Sequence, residues 1–508
     1  MTGLLERFGG FLLALVALAL PIAFLPSAAD TYILPRASMV IAGACLGVGV
    51  SLLVTRAGGL GNLRLPLLAA AAAALLAFAF SVSWPLSLAG SYTRYESLPI
   101  RLAYLGLAAS AVWLLRTRLQ RDAVVAAFVF GTTVASLEAI QQAFGPVAFR
   151  PDGNLGNANL LAALIAMAIP LAVDRARRAT LFVGPWAASV VAMGAGLVVT
   201  TSRSGGLGVV AGCLALLTLA VPRRWTVPVG AASASAVAAA VAFVLISPLR
   251  ALNDDPAALR LHLWQDGLGL LAARPLTGWG EDTTGLTFGR FLTHDYATLV
   301  TFDRVHSGPL DIAVTQGVLG LAALGWVLVV VGLAAWRRRD EPGVAGLAGA
   351  LAGFSVWVFY NFDWAPATGA FWLLLGTLWS TLSPVPIEKR VRVRGLSWQP
   401  PLAAALVAVA VALAVLPLFA DTWYLKGHAN LSVQADPLQA QYHWALGTIP
   451  GLRRAAELGE YDPGMYVQLG DLESAHGDIA AAKDAYRRAL EIDPYYTPAT
   501  QRLTLLTQ

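Results

Sequence analysis

The chain has 508 residues, 57% of them hydrophobic and only 13% charged, with a net charge of +5 and a mean hydropathy of +0.65. A soluble domain carries about 25% charged residues, so soluble enzymes, secreted disulfide scaffolds and disordered chains are excluded. The two cysteines, Cys45 and Cys213, sit inside apolar runs and are too few and too isolated for a disulfide framework or a zinc site.

Apolar runs close to the ~20 residues that a bilayer core requires recur almost from end to end. They predict an all-α polytopic membrane protein with 12–13 spans, near 8–28, 37–55, 65–84, 98–115, 122–143, 157–173, 179–201, 205–221, 226–247, 308–336, 343–361, 367–383 and 400–419. The first run lacks a convincing cleavage site and reads as a retained helix. Basic residues mark every second connection: Arg7; Arg56 and Arg64; Arg116, Arg118 and Arg121; Arg175, Arg177 and Arg178; Arg223 and Arg224; Arg337 to Arg339; and Lys389, Arg390, Arg392 and Arg394. Short basic loops stay in the cytoplasm. The expected topology therefore has a cytoplasmic N-terminus, with the long loop 248–307 and the C-terminal tail outside, in a cytoplasmic (inner) membrane.

The expected organisation is a transmembrane domain over 1–420 and an extracytoplasmic helical tail over 421–508. Within the tail, Leu469, Gly470, Gly477, Ala481, Ala485, Ala489 and Pro494 fall where a tetratricopeptide repeat places them. Such a tail would pack on the membrane domain or on a protein partner.

Arginines on the expected outer side run against the orientation bias. They are Arg36, Arg94, Arg101, Arg150, Arg203, Arg250, Arg260, Arg274, Arg290 and Arg304. A guanidinium suits bidentate binding of phosphate, and the alternative for each is a loop ion pair or a headgroup anchor. Arg203 is the most pointed, because it opens an apolar run in TSRSGGLG, where a charge is costly. Gly205, Gly206 and Gly208 would let that helix start close to an anion. In the long loop, Asp255 and Pro256 predict the start of an interfacial helix carrying Arg260, Leu263, Trp264 and Leu271, ended near Arg274 and Pro275. The neighbouring Asp254 belongs to the same cap. His306 follows at the start of the next span, with Asp303 and Asp311 close in sequence. A histidine there is a candidate general base; its alternative role is that of an interfacial anchor. No metal-ligand spacing, nucleotide-binding loop or nucleic-acid signature is present, so no cofactor and no nucleic-acid partner are expected.

These segments in order resemble the bacterial O-antigen ligase and O-antigen polymerase superfamily, which is similar to the protein O-oligosaccharyltransferases. The residues that carry the resemblance are Gly153-Asn154 through Asn157 and Asn159, Arg203 to Gly208, the loop helix followed by Pro275-Leu276-Thr277-Gly278-Trp279-Gly280, and His306 with Gly317 and Gly320. Many members have His-Asn where this chain has His306-Ser307. The resemblance implies a metal-independent, inverting glycosyltransferase of lipopolysaccharide or polysaccharide biosynthesis. Its donor would be a glycan on undecaprenyl diphosphate, and its acceptor a hydroxyl of a glycan, lipid or protein, amid membrane lipids. It implies that His306 is catalytic, that Arg203 and Arg260 hold the diphosphate, and that Asn157, Asn159, Ser204 and Arg304 are candidate substrate contacts. The competing class is a lipid-linked oligosaccharide flippase. A protein O-oligosaccharyltransferase stays open within the resemblance, and a membrane scaffold for the tail is disfavoured by the number of spans.

Overall fold

The computed structural model describes residues 2–54, 59–146, 149–246, 257–297, 299–383 and 397–506. Among these, 77% of the structure is helical and there is no strand. Fourteen helices build the body. They are α1 (Thr2–Ile22), α2 (Ile33–Val54), α3 (Arg64–Ala79), α4 (Leu98–Leu114), α5 (Arg118–Ala143), α6 (Ala158–Arg178) and α7 (Val183–Thr200). Then come α8 (Arg203–Ala220), α9 (Arg223–Ile246), the loop helix α10 (Ala257–Ala273), α11 (Gly308–Arg337), α12 (Val344–Phe359), α13 (Ala365–Leu382) and α14 (Gln399–Leu425). Eight of the described helices are long and apolar enough to cross a membrane, and α4, α12 and part of α1 are shorter apolar helices. The chain is a multi-pass all-α membrane protein, and each expected span coincides with one of these helices. Arg56, Arg250, Asp254, Asp255, Pro256, Lys389, Arg390, Arg392 and Arg394 lie outside the described residues.

The bundle is organised around α6, whose residues are buried almost along its whole length. It packs against α7, α8 and α12. A hydrophobic driving force between helices is lacking in lipid, so close approach through small residues does the work. A Cβ on Gly208 would lie 2.8 Å from the Gly353 carbonyl, and one on Gly212 2.8 Å from that of Gly349. A Cβ on Gly205 would overlap the Ala162 methyl of α6. Gly205 and Gly208 therefore serve to bring α8 onto α6 and α12. The expectation that they clear space for an anion is corrected for these two, since helix packing fills the space.

The helix α11 is broken where the sequence has Gly-x-x-Gly. Gly317 adopts φ +70°, and the carbonyls freed by the break are used. Trp279 N–H donates to the Val314 carbonyl, Gly280 N–H to that of Thr315, and Val318 N–H to that of Pro275. The two glycine motifs thus form one lock, in which the loop segment 275–280 lies along the opened turn. A Cβ on Gly317 would meet the Leu276 carbonyl oxygen at 2.0 Å. Gly320 leaves the room in which the Gln316 side chain folds back.

After α14 the chain forms short helices with their own apolar cluster, among them α15 (Ile449–Leu458), α16 (Pro463–Ala475) and α17 (Ile479–Ile492). Helices α16 and α17 form a close pair, with Gly470 against the Tyr486 ring. This region is seated on the long loop. Gly285 lies under Tyr461, Gly289 lies against the Ile492 carbonyl, and Gln439 donates to the Gly90 carbonyl. Asp421, fully buried, accepts from Asp30 N–H and from the hydroxyls of Tyr92 and Tyr442. It ties the first loop, the last span and the tail together.

Candidate functional site

His306 stands in the left-handed region at φ +57°, immediately before α11. Three contacts hold this turn. Trp264 of α10 donates its indole N–H to the His306 carbonyl at 3.2 Å. The Asp311 carboxylate accepts from Val305 N–H at 2.9 Å, and Asp311 N–H donates to the Ser307 carbonyl. Asp311 is therefore a backbone clamp. The imidazole meets the Phe362 ring edge-on at 5.3 Å. The loop helix keeps Leu263 and Leu270 in the loop's own apolar cluster, so α10 is a packed element with Arg260 on its cavity side.

A cavity of about 650 Å³, partly open to the surroundings, gathers side chains from five segments. Its walls are Arg94, Asn157, Asn159, Leu160, Arg260, His306, Trp357, Asn361, Phe362 and Trp364. The structure thus brings together four of the residues expected from the sequence: His306, Arg260, Asn157 and Asn159. Asn157 caps α6, accepting from Asn159 N–H. The Asn159 side-chain oxygen Oδ1 accepts hydrogen bonds from the Ser202 hydroxyl and from Arg150, which joins the start of α6 to the start of α8. Both helix N-termini present partial positive charge at this end of the bundle. Ser204 is one contact removed, accepting from the Asn361 side chain at 3.0 Å. Arg203, half-buried, is the first residue of α8 and does not belong to the cavity wall.

Most of the remaining arginines have structural partners. Arg36, fully buried, donates to the carbonyls of Leu20, Pro21, Tyr32 and Asn154, closing the end of α1. Arg304 is buried in a pair with Asp282 and donates to the Asp303 carbonyl. That position is away from the cavity wall. Arg274 caps the Phe80 carbonyl and lies over Trp279. Arg290 faces Glu491 at 3.9 Å on the exposed surface. Arg101 is held by three carboxylates, Asp363 at 2.6 Å, Glu281 at 3.1 Å and Glu96 at 3.6 Å. Burial pushes the Glu96 carboxyl up to about 7, against the pull of Arg101, and burial raises Glu281 as well.

Arg94 has structural partners and also lines the cavity. Its guanidinium makes two bonds to Asp303, at 2.5 and 3.1 Å, lies 4.9 Å from the centres of both the Phe362 and Trp364 rings, and forms part of the cavity wall. Burial alone would raise the Asp303 carboxyl, but Arg94 and Arg304 outweigh it and hold it down to about 2. Asp303 is consequently a fixed negative charge two residues from Val305 and three from His306.

A second cavity, about 870 Å³ and mostly apolar, adjoins this one in the chain. Its walls include Gly308 and Pro309, just after His306, and Asp363, between Phe362 and Trp364. Ala74, Leu324, Leu328, Phe354, Val358 and Phe371 supply much of its apolar surface.

Sequence reading missed the segment Trp357 to Trp364. The signal was present in WVFYNFDW, an aromatic cluster interrupted by Asn and Asp at the end of a span. It also missed Glu281 and Asp282, the acidic pair that follows Gly280 and neutralises Arg101 and Arg304.

The fold and this cavity define a multi-pass membrane protein with a polar site at one end of the bundle, beside an apolar groove. Residues 188–325 match the family model for the O-antigen ligase domain, a stretch that contains α8, α10 and His306. Over that stretch the chain is similar to the O-antigen ligase family. Comparison with curated proteins gives no match.

Proposed function

We propose that this protein transfers a glycan from undecaprenyl diphosphate to an acceptor hydroxyl at the outer face of the cytoplasmic membrane. The observation that carries this reading is the convergence of His306, Arg260, Arg94 and two asparagines on one cavity, with a mostly apolar groove lined by the residues that follow His306 and Phe362. The family match supports glycosyl transfer of the O-antigen ligase or polymerase kind. The lipid chain would lie in the apolar groove and the diphosphate in the polar cavity, with Arg260 as its ligand and Arg203 at its approach. Fixed guanidinium charge in a water-poor site stabilises a leaving diphosphate without reorganisation. His306 takes the proton of the acceptor hydroxyl. That oxygen attacks the anomeric carbon as the bond to the diphosphate breaks, the leaving group departs with the electron pair, and the configuration inverts. Asn157, Asn159 and Ser204 then position substrate. The membrane domain 1–420 carries this chemistry, and the tail 421–508 lies on the same outer side.

The test is incubation of the purified protein with an undecaprenyl-diphosphate-linked oligosaccharide and candidate acceptors. Ladders of product identify polymerisation, and a single step identifies ligation. Replacing a positioned base typically costs about 10²–10⁴-fold in rate. His306→Ala should therefore lose transfer by this factor and keep donor binding. Wild-type transfer in this variant removes the assignment. Movement of intact lipid-linked glycan across vesicles, without transfer, would establish a flippase instead.

A further inference from the structure

The loop helix α10 has one side that stays exposed although it is apolar. Leu263 and Leu270 face the loop's apolar cluster, and Asp266, the one carboxylate in the helix, is buried beside them and accepts from Thr293 and Tyr296. The opposite side carries Leu261, Gln265, Leu268 and Ala272, all exposed, at a spacing that keeps them in one stripe. Leu261 is 48% exposed, Leu268 56%, and Leu276, just past the helix, 63%. The side expected at the interface from the sequence, with Arg260, Leu263, Trp264 and Leu271, is turned to the protein instead.

Three contacts lay this helix across the loop-side ends of the bundle. Trp264 packs on Phe359 and Tyr360 at the end of α12, with ring centres 5.5 and 6.0 Å away. Arg274 donates to the Phe80 carbonyl at the end of α3, and the Pro275 carbonyl accepts from Val318 N–H of α11. From Val318 to Arg337, α11 rises about 30 Å at ~1.5 Å per residue, which is the thickness of the hydrocarbon core. With Arg337 to Arg339 at one boundary, the other falls at Val318, beside Leu276. The stripe runs on from there into Val318 and Leu319 of α11 and into Phe80, Val82 and Trp84 after α3, all of them exposed. Val82 N–H donates to the Trp279 carbonyl, which ties that segment to the loop. An exposed tryptophan at this level is typical of the headgroup boundary. Whatever covers the stripe is therefore continuous with the lipid around the spans. We propose that α10 lies in the leaflet on the loop side, with Leu261, Leu268, Ala272 and Leu276 sunk about 5–10 Å into the boundary between headgroups and acyl chains. Arg260, in the cavity wall on the adjoining side of the same helix, is thereby held at the level of the lipid phosphates. This surface stands whether or not the protein transfers glycans.

The test uses the full-length protein with Cys45→Ser and Cys213→Ser, in vesicles of phosphatidylcholine and phosphatidylglycerol. A bimane fluorophore is attached at one new cysteine at a time: Leu268→Cys, Leu276→Cys, or the milder Gln265→Cys and Ala272→Cys on the same stripe. Leu333→Cys, on the exposed side of α11, is the lipid reference, and Ala475→Cys, exposed in the tail, is the water reference. The quenchers are aqueous iodide, lipid brominated near the top of its acyl chain, and lipid brominated near the chain's methyl end. The stripe probes should lose intensity to the upper bromine, more than to the deep bromine or to iodide. The proposal is overturned if they follow the Ala475→Cys probe, quenched by iodide and indifferent to both bromines, since the stripe then lies in water. It is equally overturned if bromine has no effect and quenching grows with the number of labelled proteins per vesicle, since a second copy then covers the stripe. Gln265→Cys and Ala272→Cys decide the outcome if the leucine variants lower the melting temperature.

Discussion

The Arg94–Asp303 pair gives a quantitative handle on the site. Replacing Arg94 by Gln removes the bidentate partner of Asp303 and leaves Arg304, His306 and the Tyr461 hydroxyl as its neighbours. The depression of Asp303 from 3.8 to about 2 corresponds to roughly 2.5 kcal/mol. Breaking a buried pair by removing one partner costs about 3–5 kcal/mol. The side chains are 23% and 12% accessible, so the loss belongs at the lower end, about 3 kcal/mol. Because the folded-state value is depressed, this contribution is present above the unfolded value near 3.9 and is lost only as the pH falls toward 2. Measurement at pH 7 captures all of it. Asp303→Asn should cost less, about 2 kcal/mol, because Arg94 keeps its stacking on Phe362 and Trp364. The double variant removes both charges and should fall short of the sum by about 2 kcal/mol. The assay is unfolding in mixed micelles for the four proteins of the cycle, with glycan transfer measured in parallel. Stability should partly recover in the double variant while transfer does not, since Arg94 also forms cavity wall. Additive losses would refute the pairing argument, and restored transfer would refute a role for Arg94 at the substrate.

Gly317→Ala should disrupt the lock between the loop and α11, since its Cβ would overlap the Leu276 carbonyl at 2.0 Å and the residue sits at φ +70°; the expected loss is several kcal/mol, seen as a lower melting temperature with weakened transfer. Gly289→Ala places a Cβ 1.8 Å from the Ile492 carbonyl, so the tail should lift from the loop and become more sensitive to limited proteolysis, with the bundle helices unaffected. Burial pushes Glu460 up to about 7, although it accepts from the Tyr461 and Asp462 amides. A raised carboxyl favours folding below its unfolded value and loses that contribution as the pH rises through 7, so tail stability should fall by about 1 kcal/mol between pH 6 and pH 8. Glu460→Gln should make this dependence flat.

The hydropathy of each span was legible because a membrane helix needs only length and apolarity, and both are local. His306, Arg260, Asn157 and Asn159 were legible through short motifs at helix starts, and the bundle brings them to one cavity. Arg304 and Arg101 looked equally available, but their partners Asp282, Glu281 and Asp363 lie far away in sequence and no local pattern announces them. Gly205 and Gly208 looked like an anion-binding helix start. The residues that fill the space beside them, Ala162, Ala166 and Gly353, belong to helices that only the fold places there. Trp357 and Phe362 passed as ordinary aromatic residues at the end of a span, since the cavity they line is assembled from other segments.

The seat of the tail on the loop bears on the order in which the molecule is completed. Asp303 is gripped from one side by Arg94, made early, and touched from the other by the Tyr461 hydroxyl at 3.4 Å, made late. Every residue of the cavity wall is synthesised before Tyr461, and before Ile492, on whose carbonyl Gly289 rests. A growing chain therefore inserts its bundle and acquires its arginines, asparagines and histidine while the loop that bears the histidine is still uncovered. The last helices act as a keystone, closing over a vault whose stones are already in place.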